Sequence, residues 1–504
     1  MNESMSRNKR GPVLAIAIES AEHSLVRRMI EQDELLVLKS LLSEGRWISL
    51  KSPAAIGTSS VWPTFMTGTD PEVHGVYSEW CWEPATMTVS SLDGENVEPF
   101  WKPLAENGKS VGILAIPFMP FVGVTSGFEI SESEPFFGPD PQRQAQALRI
   151  GEVVNSETAR AALTHGRVSV TGPEDFKNLQ KLASDSFAGI KLRGKLATDL
   201  LARTKPDLSI IVFTETHESA HCLWQTVEPE HPLFHEDFLT KLQEIRPTLK
   251  DIYQEVDNQI GKLVEAVGPE ATILVFALHG LKPARGVPTF LAPLMIQAGF
   301  SPLVSLNNQS VKERARHVVA ALKRRAPTGL KKLYYRTVPR STVLQLASHT
   351  LMPQYDWSQT RAFSLVTEQH GSVRVNLIGR EAKGIVPVQD YATVCREVEE
   401  WLRTLTTSDG KPLARKVIRM AESGEQALEM RIPDVIVHWK DAAFRSPLRI
   451  AGSHIEYYSD GNRYLSQHTS EGFCILKGGI DGEVDDVLLI KDLGNLIARN
   501  VLRH

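Results

Sequence analysis

The sequence has few cysteines, no long apolar run and no excess of basic residues, and each lack excludes a class of protein. Its four cysteines lie far apart and form no C-x-x-C pair, which argues against a disulfide framework or a zinc knuckle and fits a reducing compartment. No apolar stretch approaches the ~20 residues that a membrane-spanning helix needs. The apolar run 13–18, after a polar and basic start, is too short for a signal sequence. We therefore expect a cytoplasmic protein.

The charge balance gives no reason to expect nucleic acid as a partner. Lys and Arg total 56, Asp and Glu total 60, and the net charge is −4, so no broad positive field is implied. One segment, 311–336, is locally basic. Two interpretations of it stay open: a site for an acidic partner or a membrane surface, and a solvated helix face on an inserted subdomain. The 504 residues, 42% of them hydrophobic, are enough for one large domain or two to three smaller ones.

Short apolar runs alternate with helical patterns in the first half of the chain. Buried strands are predicted over Val13–Ile18, Val111–Ile116, Leu208–Phe213 and Thr272–Ala277. Helical patterns cover roughly 23–44, 188–204 and 237–267, and a shorter strand is predicted over Phe473–Leu476. Continuous apolar strands that alternate with helices imply a parallel sheet covered on both faces. Active sites in such sheets lie at the carboxyl ends of the strands.

The polar residues with chemical potential follow these strands directly or lie in a loop that can reach their ends. They are Glu19 after the first strand, Glu215, His217 and His221 after the third, His279 after the fourth, and Thr58 after the Pro/Gly/Ser-rich loop 51–60. A parallel sheet would bring residues scattered over 260 positions together at one edge. Thr58 is placed to begin a helix, where backbone N–H groups favour an anion; an ordinary helix cap is the alternative.

Three histidines suggest a metal site. His217 and His221 are four residues apart, so on a helix they share a face and can bind one ion. His468, in QHTSEG, can supply a third ligand. Three neutral imidazoles with an open fourth position are typical of a catalytic zinc-type site. Unrelated surface or structural histidines are the alternative, and His74 is expected to be structural.

Together these segments resemble the alkaline phosphatase superfamily, and specifically its type I phosphodiesterase/nucleotide pyrophosphatase branch. The resemblance lies in IES at 18–20, Thr58 nine residues before Thr67-Gly68, TGTDPEVHG at 67–75, HESAH at 217–221, ALHG at 277–280 and HTSEG at 468–472, in the family's order. It implies a central, mostly parallel α/β sheet flanked by helices, with an inserted smaller subdomain. The expected division is 11–300 for the first part of the catalytic core, 301–430 for the insertion and 431–504 for completion of the core.

The resemblance also implies two metal ions and a Thr nucleophile, but this chain departs from the ligand pattern. The first-strand Asp is Glu19, the Asp of D-x-x-x-H is His217, and the Asp of S-D-H-G is Leu278. A first site of His217, His221 and His468 remains sound. The second keeps only Glu19, Thr58 and His279, with too little negative charge for a second dication. One ion is therefore expected rather than two, with zinc favoured by the imidazoles and manganese or iron as alternatives.

The sequence thus predicts a metal-dependent hydrolase of phosphate esters, phosphodiesters or related anionic esters. Thr58 would be the nucleophile or an anion-binding residue, and Glu19 and His279 would be residual ligands or general acid/base groups. Glu215 is predicted to orient a ligand histidine through its other ring nitrogen. Two alternatives stay open: a catalytically weakened relative that binds a metal or a phosphorylated ligand as a scaffold, and a phosphomutase. Substrate identity and oligomeric state are not predicted.

Overall fold

A computed structural model of the chain describes most of its residues. The described ranges are 11–91, 97–118, 122–130, 175–228, 240–283, 289–304, 338, 351–367, 369–440, 443, 448–457, 466–479 and 484–502. The basic segment 311–336 lies outside them. In these ranges no helix is long and apolar enough to cross a membrane.

An eight-stranded sheet forms the centre of the molecule. Its strands are β1 (Val13–Ile18), β2 (Arg46–Lys51), β5 (Val111–Leu114), β6 (Gly127–Ile130), β7 (Leu208–Phe213), β8 (Thr272–Ala277), β17 (Glu471–Lys477) and β18 (Val487–Leu489), in the order β18-β2-β17-β8-β1-β7-β5-β6. β17 runs antiparallel to both of its neighbours, and the other pairs are parallel. The predicted mostly parallel sheet is therefore confirmed.

Helices cover both faces of this sheet, because alternate residues of each buried strand face opposite sides. In β1, Leu14 and Ile16 pack into one hydrophobic cluster and Val13 and Ala15 into another. The helices of the core are α1 (His23–Glu31), α2 (Leu36–Ser43), α3 (Val61–Thr67), α4 (Pro71–His74), α5 (Trp101–Glu106), α6 (Phe176–Thr204), α7 (Glu215–Leu223), α8 (Leu249–Val267) and α12 (Ile490–Leu502).

Five predicted elements have different bounds in the structure. Two are longer than predicted: the helical pattern 188–204 lies in a helix over Phe176–Thr204, and the strand 473–476 extends over Glu471–Lys477. The helical pattern 23–44 forms two helices, because the chain turns at Asp33, whose φ of +60° is left-handed. The pattern 237–267 yields a long helix only from Leu249, since Pro247 interrupts it and Thr248 and Asp251 then cap the new helix. The strand predicted to end at Ile116 ends at Leu114, where Ala115 takes a left-handed φ of +64°.

A second, four-stranded sheet lies later in the chain. Its strands are β10 (Ala362–Ser364), β11 (Gly371–Val375), β12 (Ala414–Arg419) and β13 (Val435–Trp439), in the order β10-β11-β13-β12, all antiparallel. The helices α9 (Leu291–Gln297), α10 (Tyr391–Thr404) and α11 (Gly424–Leu428) accompany it. Its core is a separate hydrophobic cluster that includes Phe290 and Tyr391. The division of the chain at 301 and 431 stays a prediction.

Three short strand pairs complete the strands of the described structure. Their strands are β3 (Trp80–Glu83) with β4 (Thr88–Ser91), β14 (Leu448–Arg449) with β15 (Glu456–Tyr457), and β16 (Ser466–Thr469) with β9 (Gly280–Pro283). The last pair matters for function, since β9 follows His279 directly and β16 contains His468. In that pair His468 lies opposite Leu281.

Candidate metal centre

Three histidines from two distant segments meet beyond the carboxyl ends of the central strands. α7 begins two residues after β7, so His217 and His221 lie one turn apart on its first turns. β16 brings His468 to the same place. The Nε2 atoms are 3.0 Å apart for His217 and His221, 3.3 Å for His217 and His468, and 3.1 Å for His221 and His468. The structure therefore brings together the three residues selected from the sequence.

The donor set suits a transition-metal ion. Three ring nitrogens at such mutual distances cannot all be satisfied by one another, because each pair needs one donor and one acceptor. The pKa of His468 lies well below its usual value, first because the ring is buried and then because of the neighbouring histidines. A neutral imidazole offers the lone pair that zinc binds. Among the described residues, these three ligand nitrogens lie within 4.8 Å of one another.

Two polar side chains that were not predicted from the sequence hold these histidines. Ser466 Oγ lies 3.0 Å from Nδ1 of His221, the ring nitrogen that faces away from the cluster. Gln369 holds the backbone of His468 at two points: its Oε1 accepts from the His468 N–H at 2.8 Å, and its Nε2 donates to the His468 carbonyl at 3.0 Å. No sequence signal marks either residue, because their partners lie about 100 or more positions away.

Glu215 is buried beside the site and paired with an arginine. The Arg193 Nε donates to both carboxylate oxygens of Glu215, at 2.8 and 3.1 Å, and both side chains are fully buried. Arg193 also donates to Thr214 Oγ1 at 3.0 Å. This contact fixes the first residue of α7 to α6 and so fixes the helix that carries two of the histidines. The predicted action of Glu215 on a ligand histidine stays a prediction.

The residues of the predicted second site have protein partners of their own. Glu19 is buried, and one of its carboxylate oxygens accepts from the indole N–H of Trp62 at 2.8 Å. His279 is 3.2 Å from Ser20 Oγ through its Nε2, and its ring packs against His468 with centroids 4.7 Å apart. Burial, followed by the charge of His217, lowers the pKa of His279 to about 3. Leu278 is 2% exposed and offers no ligand atom.

Thr58 begins a 3-10 turn, Thr58–Ser60, that runs directly into α3. The expected helix start is therefore a tighter turn followed by the helix. Gly57 permits this path, because a Cβ at this position would lie 1.8 Å from the carbonyl oxygen of Tyr77. The Thr58 hydroxyl is buried and has no hydrogen-bond partner among the described residues. An unsatisfied buried hydroxyl of this kind is costly unless it serves a ligand or a reaction.

The turn chemistry that follows Thr58 is confirmed. α3 ends at Thr67 on Gly68, and α4 ends at His74 on Gly75, both glycines having left-handed φ angles. His74 lies 3.0 Å from Thr64 Oγ1 through its Nε2, and its Nδ1 accepts from the Val76 N–H. Burial lowers the pKa of His74 to about 4. These contacts agree with a structural histidine.

Comparisons with known proteins identify the family that this chain matches. A model of the type I phosphodiesterase / nucleotide pyrophosphatase family matches residues 13–446, so His468 lies beyond the matched region. No curated protein matches the chain in sequence.

Solved structures share the fold at low identity. Phosphonoacetate hydrolase from Sinorhizobium meliloti 1021 in complex with phosphonoformate aligns with a TM-score of 0.57 and 13% identity, over 98% of this chain and 96% of that chain. The same enzyme with phosphonoacetate gives 0.55 and 12%, over 98% and 96%. Human ectonucleotide pyrophosphatase / phosphodiesterase 5 gives 0.46 and 11%, over 97% and 95%.

Proposed function

The chain belongs to the type I phosphodiesterase / nucleotide pyrophosphatase family, a family of hydrolytic enzymes in the alkaline phosphatase superfamily, and we propose that it hydrolyses small phosphate esters or phosphodiesters at a single three-histidine metal centre. The observation that carries this proposal is the convergence of three Nε2 atoms from His217, His221 and His468. The convergence arises from segments 247 or more positions apart, which a chance pair of surface histidines does not explain.

The metal would be held by His217, His221 and His468, with zinc favoured over manganese and iron because all three ligands are imidazoles. A metal held there supplies a Lewis acid for an ester oxygen of the substrate. One ion is proposed rather than two. Leu278 gives no ligand, and Glu19 is the one carboxylate among Glu19, Thr58, Leu278 and His279, which is too little charge for a second dication.

The chain's own residues then have distinct roles. Thr58 presents a buried hydroxyl without a hydrogen-bond partner in the part of the chain that the structure describes, which suits a nucleophile or a contact to the substrate anion. Glu19 is held in place by the Trp62 indole and is the candidate general base. His279 stays neutral in its buried position, because its pKa is about 3. It can therefore donate or accept a hydrogen bond without adding charge.

A scaffold that binds a metal or a phosphorylated ligand without turnover is the second candidate function. Leu278 favours the scaffold, because it stands where the family has an aspartate ligand, and without that ligand a second metal would not activate Thr58. The cytoplasm is the proposed location, which is supported by four described cysteines that form no disulfide bond with one another. The proposed partner is a small anionic ester.

The test combines metal analysis with hydrolysis. The purified protein is expected to hold about one zinc, manganese or iron ion per chain and to cleave bis(4-nitrophenyl) phosphate, with 4-nitrophenyl phosphate and phosphonoacetate as comparison substrates. Thr58→Ala is expected to abolish single-turnover hydrolysis if Thr58 is the nucleophile, and to raise KM alone if it only binds the anion. Metal binding without hydrolysis of any substrate would favour the scaffold. Absence of metal binding would overturn the metal-dependent hydrolase and leave only a scaffold for a phosphorylated ligand.

A further inference from the structure

We propose that three side chains of the later part of the chain, Gln369, His370 and His438, form a brace that positions two parts of the active site at once. Gln369 positions the metal ligand His468, and the two histidines position the loop that leads to Thr58. All three are positioning residues that need not touch the substrate. The inference rests on the proposed function for what the site does, but the contacts of the brace do not depend on it.

The first arm of the brace acts on His468. The Gln369 side chain is 6% exposed and makes two hydrogen bonds to one residue, accepting from the His468 N–H and donating to its carbonyl. Its Nε2 also lies 3.3 Å from Nε2 of His370, the next residue of the brace. A side-chain amide bonded in this way extends the pairing of β16 along the edge that does not face β9. It therefore fixes the position of the strand at the residue that carries the third imidazole.

The second arm consists of two stacked imidazoles. The His370 and His438 rings lie with centroids 4.3 Å apart and an interplanar angle of 23°. His438 Nε2 is 2.8 Å from the carbonyl oxygen of Ala55, and His370 hydrogen-bonds the backbone of Ala54. Ala54 and Ala55 form the turn three residues before Thr58. Two side chains thus hold two successive backbone groups of that loop.

Both rings are kept neutral by their surroundings. Burial, then the charges of His438, Arg415 and Lys282, lowers the pKa of His370 to about 3. Burial also lowers the pKa of His438, with Arg415, Lys416 and Lys282 acting in the same direction. A neutral imidazole has one N–H donor, and in each ring that donor can serve a carbonyl of the Thr58 loop. Stacking of two charged rings would be repulsive, so neutrality and stacking agree.

The two arms of the brace are joined by the four-stranded sheet. Gln369 and His370 are adjacent and directly precede β11, while His438 belongs to β13, and these strands pair at Gly371 and Val437. A movement of these strand ends would therefore shift His468 and the Thr58 loop together. The four-stranded sheet is consequently expected to be part of the active-site framework and not a lid that opens independently.

The metal arm is tested with Gln369→Ala in the full-length protein loaded with Co²⁺. Loss of an outer contact to a metal ligand typically reduces metal affinity about 10- to 100-fold, so we expect about a tenfold weaker Co²⁺ affinity and a changed visible absorption spectrum. The control is Gln259→Ala, which removes another buried glutamine, bonded to Glu255 in α8. It is expected to lower stability while leaving the Co²⁺ spectrum and affinity unchanged.

The loop arm is tested by hydrogen exchange. His438→Phe and His370→Phe keep ring stacking and volume but remove the donors, so amide exchange over residues 53–60 is expected to rise severalfold. His438→Gln retains an N–H donor and is expected to recover part of the protection. The exposed His454→Phe is the null control, and Gln259→Ala shows the effect of lost stability alone.

Two results would overturn the brace. One is that Gln369→Ala lowers the unfolding temperature as Gln259→Ala does but leaves Co²⁺ affinity and spectrum unaltered. The other is that exchange over 53–60 is the same in His438→Phe and His454→Phe. Neither measurement depends on turnover. A wild-type protein that hydrolyses none of the substrates would contradict the proposed function, and the brace would still be tested by Co²⁺ binding and hydrogen exchange.

Discussion

The two sets of candidate metal ligands beside the central sheet differ in their hydrogen-bond partners. At the first, the Nε2 atoms of His217, His221 and His468 point at one another, and Ser466 occupies the far nitrogen of His221. At the second, the protein's own side chains face the groups, with Trp62 bonded to Glu19 and Ser20 beside His279. The first set presents its ring nitrogens to one point, as a cation requires, whereas the second set already has protein partners.

The difference gives a physical basis for the proposal of one metal ion rather than two. Replacing a carboxylate by Leu278 removes a ligand and a negative charge together, and the neighbouring indole then gives the remaining carboxylate another partner. A dication needs both ligand atoms and compensating charge. The three imidazoles supply ligand atoms without negative charge, which suits zinc. Glu19, Thr58 and His279 supply too few ligand atoms and too little charge.

The largest expected effect is the contrast between His221→Ala and His279→Ala. Structural zinc binds with about 10–16 kcal/mol, or about 2.5–4 kcal/mol per ligand if four ligands share it equally, so losing His221 should weaken zinc binding by roughly 70- to 900-fold. His279→Ala should change the affinity by no more than about tenfold, through its packing on His468. Chelator competition measures both. Equal losses in the two variants would mean that both sets hold the metal.

The next expected effect is a second ion in Leu278→Asp. A carboxylate at this position adds one ligand and one negative charge beside Glu19 and His279, so the metal count should rise from about one towards about two per chain. Leu278→Asn adds oxygen without charge and should leave the count at about one. The metal-free variant should lose about 2–5 kcal/mol of unfolding free energy, the range for removing a buried leucine.

Elemental analysis after gentle purification gives the count. A wild-type protein that already holds two ions tightly would show that Glu19 supports a second site without help from position 278.

The smallest expected effect comes from removing the hydrogen-bond partner of one residue in each set. Ser466→Ala removes the partner of His221 Nδ1 and should weaken zinc binding about tenfold. Trp62→Phe removes the indole donor of Glu19 and should cost about 1.5–3 kcal/mol of stability, as for a hydrogen bond to a charged group, with zinc affinity unchanged. Zinc titration and denaturant unfolding separate the two. Stronger or additional metal binding in Trp62→Phe would show that the indole competes with a metal for Glu19.

Much of the central sheet could be predicted because its strands are continuous apolar runs. β1, β7 and β8 have the predicted bounds, since six consecutive buried residues leave no ambiguity about their burial. Helix bounds were less accurate. The turn at Asp33 depends on a left-handed backbone conformation that an aspartate does not require. The helical pattern 237–267 contains Pro247, which prevents a continuous helix.

The candidate site was predictable only where chemistry repeats locally or follows a strand. The spacing of His217 and His221 is visible within one turn, and His468 required the family resemblance. Ser466, Gln369 and the His370–His438 stack could not be foreseen, because each acts on a residue about 100 or more positions away through a hydrogen bond that any polar side chain might make. Trp62 likewise looks like an ordinary apolar helix residue until its indole is seen at Glu19.

The insertion of β17 between β2 and β8 has a consequence for how the protein is made. β2 and β8 are complete long before β17, and each therefore exposes an unpaired backbone edge while the intervening chain is synthesised. His468 lies three residues before β17, so the third imidazole arrives with the strand that closes the gap. Such long-range pairing slows folding. Capture of the proposed metal by all three histidines would thus be a late event. A nascent chain that stalls earlier has an open sheet edge that can associate with other chains.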